Sequence, residues 1–158
     1  MSKLSIEFNE VFEINQAPKL FHEGSCVFLP LYDDYCQWLS VMNTLNNKVI
    51  YLSLNGKKVG YLLYNYKGVF SKDGNVKTNV IKVYTLFVSK PYRHLGYGTA
   101  LVESLISSID KNINAIELKC KRDLYVGDFY KKRGFQYVGF IPDSEELVYK
   151  KDLKTLIT

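Results

Sequence analysis

The stretch Val83 to Leu105, VYTLFVSKPYRHLGYGTALVESL, constrains the fold more than any other part of the chain. It opens as the β-branched and aromatic run Val83-Tyr84-Thr85-Leu86-Phe87-Val88, which suits a strand buried on at least one face. Pro91 closes the run, because proline has no N–H to give a ladder. Two glycines then punctuate Arg93-His94-Leu95-Gly96-Tyr97-Gly98, and Leu101, Val102, Leu105, Ile106 and Ile109 follow at helical spacing. Strand, glycine turn and helix in this order build an anion cradle. The glycines let the backbone turn tightly with its N–H groups aimed inward, and the helix start adds amides and a positive dipole end. Arg93 adds a permanent cation. Such a turn suits a phosphate or pyrophosphate.

A P-loop needs Lys followed by Ser or Thr after its last glycine, and Thr99-Ala100 stands there instead. A dinucleotide fingerprint needs a third glycine at position 101, which is Leu101. What remains is Arg-x-x-Gly-x-Gly after a strand ending Leu-x-Val. This pattern resembles the acyl-CoA-binding segment of the GNAT family of N-acetyltransferases, matched at Leu86, Val88, Pro91, Tyr92, Arg93, Gly96 and Gly98. The resemblance implies acetyl-CoA as co-substrate, bound by Phe87, Val88, Arg93, His94, Leu95, Gly96, Tyr97, Gly98 and Thr99. A tight strand-to-helix turn with no ligand is the bland alternative.

The 158 residues are enough for one domain with a proper core, expected to span residues 1–158. No apolar run approaches the roughly 20 residues that span a bilayer, and Met1-Ser2-Lys3-Leu4 lacks a signal peptide's apolar core. Cys26, Cys36 and Cys120 are odd in number with no Cys-x-x-Cys spacing, so reduced thiols in a cytoplasmic protein are expected rather than a disulfide frame or zinc site. The net charge of +5 suits an anionic ligand.

Along the chain, Lys3 to Ile14 alternates weakly and predicts a first strand. Pro18 to Glu23 predicts a short helix stopped by Gly24. Asp33 and Asp34 precede Tyr35, Trp38, Leu39, Met42 and Leu45, an acid-capped amphipathic helix. Val49 to Leu54 and Val59 to Tyr64 flank Asn55-Gly56, the strongest short hairpin signal. Ser71 to Asn79 reads as a polar loop, with Ile81 opening the central strand. Ala115 to Cys120 predicts a strand, and Asp123 a helix carrying Tyr125, Val126, Phe129 and Tyr130, closed by Gly134. Phe135 to Phe140 and Leu147 to Leu153 predict a last pair of strands. The order β-α-α-β-β-β-α-β-α-β-β is that of the family, an α+β fold whose mixed, mostly antiparallel sheet is flanked by helices. The resemblance runs from the Asn55-Gly56 hairpin to about Leu153, and the first 45 residues match in element order alone.

The implied reaction is attack of an amine on a thioester, which needs a neutral amine, a polarised carbonyl and a proton for the thiolate. No metal is called for, since backbone donors such as the Val88 amide can hold the oxyanion. Tyr130-Lys131-Lys132-Arg133-Gly134-Phe135 is similar to the family's Tyr-x-x-x-Gly-Phe, whose tyrosine often protonates the thiolate; a core role for Tyr130 is the alternative. Seven residues upstream, where the family usually has an asparagine on the pantetheine arm, stands Asp123, which can accept from a pantetheine amide; a plain helix cap is the alternative. The base is not singled out among His94, Asp33, Asp34, Glu117 and water. His22 reads as a surface residue and Cys120 as core.

The acceptor is a primary amine of unspecified kind, small molecule or protein, and its pocket falls to Asn15–Leu45 and Phe70–Asn79, with Tyr32, Tyr35 and Trp38 as candidate lining. Two other readings stand: a CoA-binding sensor without catalysis, and an RNA-binding module. The second rests on Arg133-Gly134-Phe135-Gln136-Tyr137-Val138-Gly139-Phe140, close to an RNP1 signature but with no RNP2 strand roughly 30 residues upstream. Nucleic acid is therefore the weaker partner, no membrane partner is expected, and the protein is a monomer or homodimer.

Overall fold

Period-2 runs of β-branched and aromatic residues build the central sheet. The computed structural model describes residues 3–25, 47–70, 76–109, 113, 115–121, 127–140 and 146–153. Among these, seven strands form one sheet: β1 (Leu4–Asn9), β2 (Lys48–Leu54), β3 (Lys57–Phe70), β4 (Val76–Val88), β5 (Ala115–Lys121), β6 (Gln136–Phe140) and β7 (Glu146–Asp152), in spatial order β1-β2-β3-β4-β5-β7-β6. The pairs β1–β2, β2–β3, β5–β7 and β6–β7 are antiparallel. Parallel β4 and β5 require a crossover. The helix Tyr97–Ser108 (α2) supplies it; α1 (Pro18–Ser25) and α3 (Gly127–Lys132) complete the described helices. The sheet is mixed, as the α+β reading expected. The Asp33/Asp34 helix and the Asp123 cap lie outside the described residues.

Asn55 and Gly56 have φ of 53° and 82°, the left-handed pair that a two-residue hairpin turn needs. The turn also holds the chain's start: Lys3 N–H donates to Asn55 Oδ1, and Asn55 N–H donates to Lys3 O, each at 2.8 Å.

Three expectations need correction. The first strand ends at Asn9 rather than Ile14, and residues 14–16 form a 3-10 turn. The polar loop is shorter than Ser71–Asn79, because β3 runs to Phe70 and β4 begins at Val76. Val76, Thr78 and Val80 are β-branched at alternate positions, so strand period outweighs polar composition. Gly24 does not stop α1, which continues to Ser25. A Cβ at residue 24 would lie 2.0 Å from the Tyr61 hydroxyl oxygen, so this glycine serves close packing within the helix.

By contacts the chain divides into two compact units, residues 1–65 with 85–109 and residues 66–84 with 110–158. In the first, Phe21 meets Phe12 at 4.7 Å and Tyr61 at 4.8 Å between ring centres, and Tyr61 meets Phe87 at 5.7 Å. Leu101, Val102 and Leu105 of α2 are buried, and α2 packs on β2. Tyr51 is fully buried and donates its hydroxyl to Gln16 Oε1. Burial, then the charges of Glu7 and Glu13, push its pKa well above the usual phenol range. In the second unit, Ile81, Val83, Ile116, Leu118, Tyr130, Phe135 and Tyr149 are buried.

Candidate functional site

Along the end of β4 burial alternates. Thr85, Phe87 and Ser89 are 3%, 4% and 7% exposed, while Leu86 and Val88 between them are half-buried. The Ser89 N–H donates to Val59 O at 2.8 Å. Strand alternation therefore turns the Val88 N–H away from β3. After Ser89 the chain forms a 3-10 turn at Lys90–Tyr92, with Pro91 in its first positions, where a missing N–H costs nothing. Arg93 then resumes an extended conformation. Its Nε–H donates to Val88 O at 2.7 Å, and its guanidinium lies 5.3 Å from the Phe87 ring centre. That bond uses one of the five guanidinium donors.

The turn itself is built from two left-handed residues, His94 at φ 64° and Gly96 at φ 86°. Gly96 is the N-cap of α2, and no side chain caps the helix. Ala100 N–H donates to Gly96 O at 3.0 Å, which closes the first helical turn. The amides of residues 97 and 98 precede that bond and have no acceptor within the helix. The first turn of α2 also carries no acidic residue. An uncapped helix start without a carboxylate, behind a left-handed turn and beside an arginine, is a donor set suited to pyrophosphate. Leu95 is 61% exposed at the rim, and Tyr97, Gly98 and Thr99 are half-buried.

The other sequence candidates lie on other elements. Tyr130, on α3, is 6% exposed, with ring centres of Phe129, Phe135 and Tyr149 at 5.3, 5.8 and 5.9 Å. Gly134 has φ 89°, which suits the helix end expected there. Glu117, half-buried on β5, adds to the burial that raises the Tyr84 pKa above the usual phenol value. His22 is exposed on α1, and Cys120 lies in β5. Asp123, Asp33, Asp34, Tyr32, Tyr35 and Trp38 are outside the described residues. In the RNP1-like octapeptide, Phe135 is 2% exposed and Tyr137 49% exposed, and β6 is an edge strand of the sheet.

One contact has no sequence signal. The Ser89 hydroxyl donates to Glu23 Oε2 at 2.9 Å, across 66 residues of chain. Neither residue belongs to the glycine motif, and no local pattern pairs them.

Comparison with known proteins bears on the fold and the family. No curated protein matches the sequence significantly. Solved structures match at high probability. An acetyltransferase from Thermus thermophilus superposes with a TM-score of 0.70 at 16% identity, over 97% of this chain and all (100%) of that one. The PaiA N-acetyltransferase of Thermoplasma acidophilum, solved with coenzyme A, gives 0.62 at 16% identity, over 94% and 99%. The ribosomal-protein-S18-alanine N-acetyltransferase of Escherichia coli gives 0.63 at 16% identity, over 96% and 94%. At these identities the likeness is one of fold. The family model described as the acetyltransferase (GNAT) family matches residues 8–135, so the relationship reaches well upstream of the hairpin at which the sequence pattern began. The chain belongs to the GNAT acetyltransferase family.

Proposed function

We propose that this protein transfers the acetyl group of acetyl-CoA to a primary amine by direct attack of the amine on the thioester. The observation that carries the reading is the start of α2: a left-handed Gly96 cap, no capping side chain and no acid in the first turn. Acetyl-CoA would supply the activated acetyl group. The amides of residues 94–99 and the Arg93 guanidinium would take its pyrophosphate, and the Val88 N–H would face the thioester oxygen. Tyr130 would return a proton to the departing thiolate, and a phenol near pKa 10 holds that proton at neutral pH. The coenzyme A bound to the Thermoplasma neighbour and the alanine acceptor named for the Escherichia coli one both support this reading.

Gly98→Asp tests it. The new carboxylate would stand where phosphate binds, yet an acid in a helix's first turn favours the helix itself, so the apo protein stays folded. Thermal stabilisation by acetyl-CoA should vanish in this variant while the apo Tm holds or rises. Undiminished stabilisation would remove the cradle from the reading.

One observation favours a second reading, CoA binding without turnover. Tyr130 is enclosed by three aromatic rings, as a packing residue would be. Stabilisation by acetyl-CoA, with no thiol released over a broad panel of amines, would establish it.

A further inference from the structure

Glu23 and Ser89 meet at the C-terminal end of β4, one residue beyond Val88. Ser89 is almost wholly buried and its N–H is committed to Val59 O, so its main chain is held against β3. It donates to Glu23 Oε2 at 2.9 Å. Glu23 itself is exposed on α1. Among the described residues it forms no ion pair, whereas Glu10 pairs with Lys48 and Glu7 with Lys58. A carboxylate has about four acceptor positions, and one hydroxyl donor leaves both its charge and most of those positions in place.

The surroundings make this anion informative. The turn that follows Ser89 carries Lys90 and Arg93 and opens an uncapped helix, all of which suit an anionic ligand. A carboxylate held at the end of the same strand suits the opposite charge. The acceptor of an acetyl transfer reaches the enzyme at neutral pH chiefly as an alkylammonium ion, a cation with up to three donors. We propose that Glu23, held by Ser89, binds and orients the ammonium group of the acceptor amine, which gives up one proton to solvent water before its nitrogen attacks the thioester. The proposal rests on the acetyltransferase reading and names the chemical class of the acceptor: a protonated alkylamine rather than a neutral aryl amine. Ser89 is a positioning residue here, because it acts only through the carboxylate.

Glu23→Gln separates this role from a structural strap. Its amide oxygen still accepts from the Ser89 hydroxyl and the side chain keeps its length, so only the charge is removed. Thiol release is measured with the full chain and saturating acetyl-CoA, using putrescine, an alanine-terminated peptide and aniline as acceptors. In Glu23→Gln the KM for the alkylammonium acceptors should rise on the order of 10-fold or more, the loss expected for a hydrogen bond to a charged group. The aniline rate should stay within about twofold, since that amine is uncharged at neutral pH. Stabilisation by acetyl-CoA should be unchanged. Ser89→Ala should raise the same KM by a smaller factor. Equal KM values in wild type and Glu23→Gln, or equal losses on aniline and on alkylammonium acceptors, would overturn the proposal and leave acetyl transfer standing. A wild-type protein that binds acetyl-CoA but releases thiol with none of the acceptors would overturn both.

Discussion

Tyr130 asks of one hydroxyl what its ring does not settle. The ring packs with Phe129, Phe135 and Tyr149 whether or not the oxygen has a task. Tyr130→Phe keeps those contacts and removes the oxygen. If the hydroxyl protonates the thiolate, kcat should fall on the order of 10²- to 10⁴-fold. The apparent affinity for acetyl-CoA should hardly change, since a contact made in the transition state is not lost from the ground state. A fall below about fivefold, with chemistry shown to be the slow step, would return the residue to packing alone. Gly24 poses the converse case, a residue whose whole role is space. Gly24→Ala would set a methyl 2.0 Å from the Tyr61 hydroxyl oxygen, so either helix or ring must move. Chemical denaturation should report a loss of about 1–3 kcal/mol, the usual cost of overpacking. That glycine reads as a helix stop in the sequence, because a one-dimensional pattern holds its position after Glu23 but not the tyrosine lying across it. The glycines of the Arg93–Gly98 turn were legible for the opposite reason: their requirement is local, a backbone that must turn left-handed within six residues.

At the scale of elements, legibility followed the range of the interactions. The Asn55-Gly56 hairpin, α2 with its buried Leu101, Val102 and Leu105, and the strands at the chain's end were all readable, because each is specified by period or by turn chemistry. The extra length of β3 and β4 was not, since polar residues between Phe70 and Val80 mask the alternation. The meeting of α1 with the end of β4 was invisible, because Glu23 and Ser89 become neighbours only once the sheet exists. Tyr51, at the middle of β2, gives an element-scale prediction. Its pKa is raised by burial, and further by Glu7 and Glu13, so the folded protein keeps the phenol neutral where the unfolded chain would ionise it. The stability this contributes is therefore complete below the unfolded value of about pH 10 and declines as pH climbs from there toward the folded pKa. An alkaline titration followed by tyrosinate absorbance should show phenolate appearing with unfolding, and Tyr51→Phe should make that step smaller by one tyrosine. A phenolate signal of undiminished size in the folded variant would assign the step to another tyrosine.

For the molecule as a whole, the glycine motif was enough to point to the family, and the fold agreed with it over nearly the full chain. The acceptor was not legible, because acceptor choice depends on side chains gathered from distant segments, of which Glu23 is the proposed example. The hairpin that joins β2 to β3 has a slower consequence, on the scale of storage rather than turnover. An asparagine followed by glycine offers little steric resistance to attack by the glycine nitrogen on its side-chain amide, so Asn55 is a natural point of chemical ageing. The ring that forms opens mainly to isoaspartate, which adds a methylene to the main chain. Asn55 supplies both hydrogen bonds to Lys3 and one of the two left-handed residues of the turn. Ageing there would loosen the turn and unclip the start of β1 together. Protein held at mildly alkaline pH should accumulate isoaspartate at position 55, found by peptide mapping, with amide exchange in β1 quickening in step; Asn55→Asp, which still offers an acceptor oxygen and cyclises far more slowly, should keep both constant for much longer.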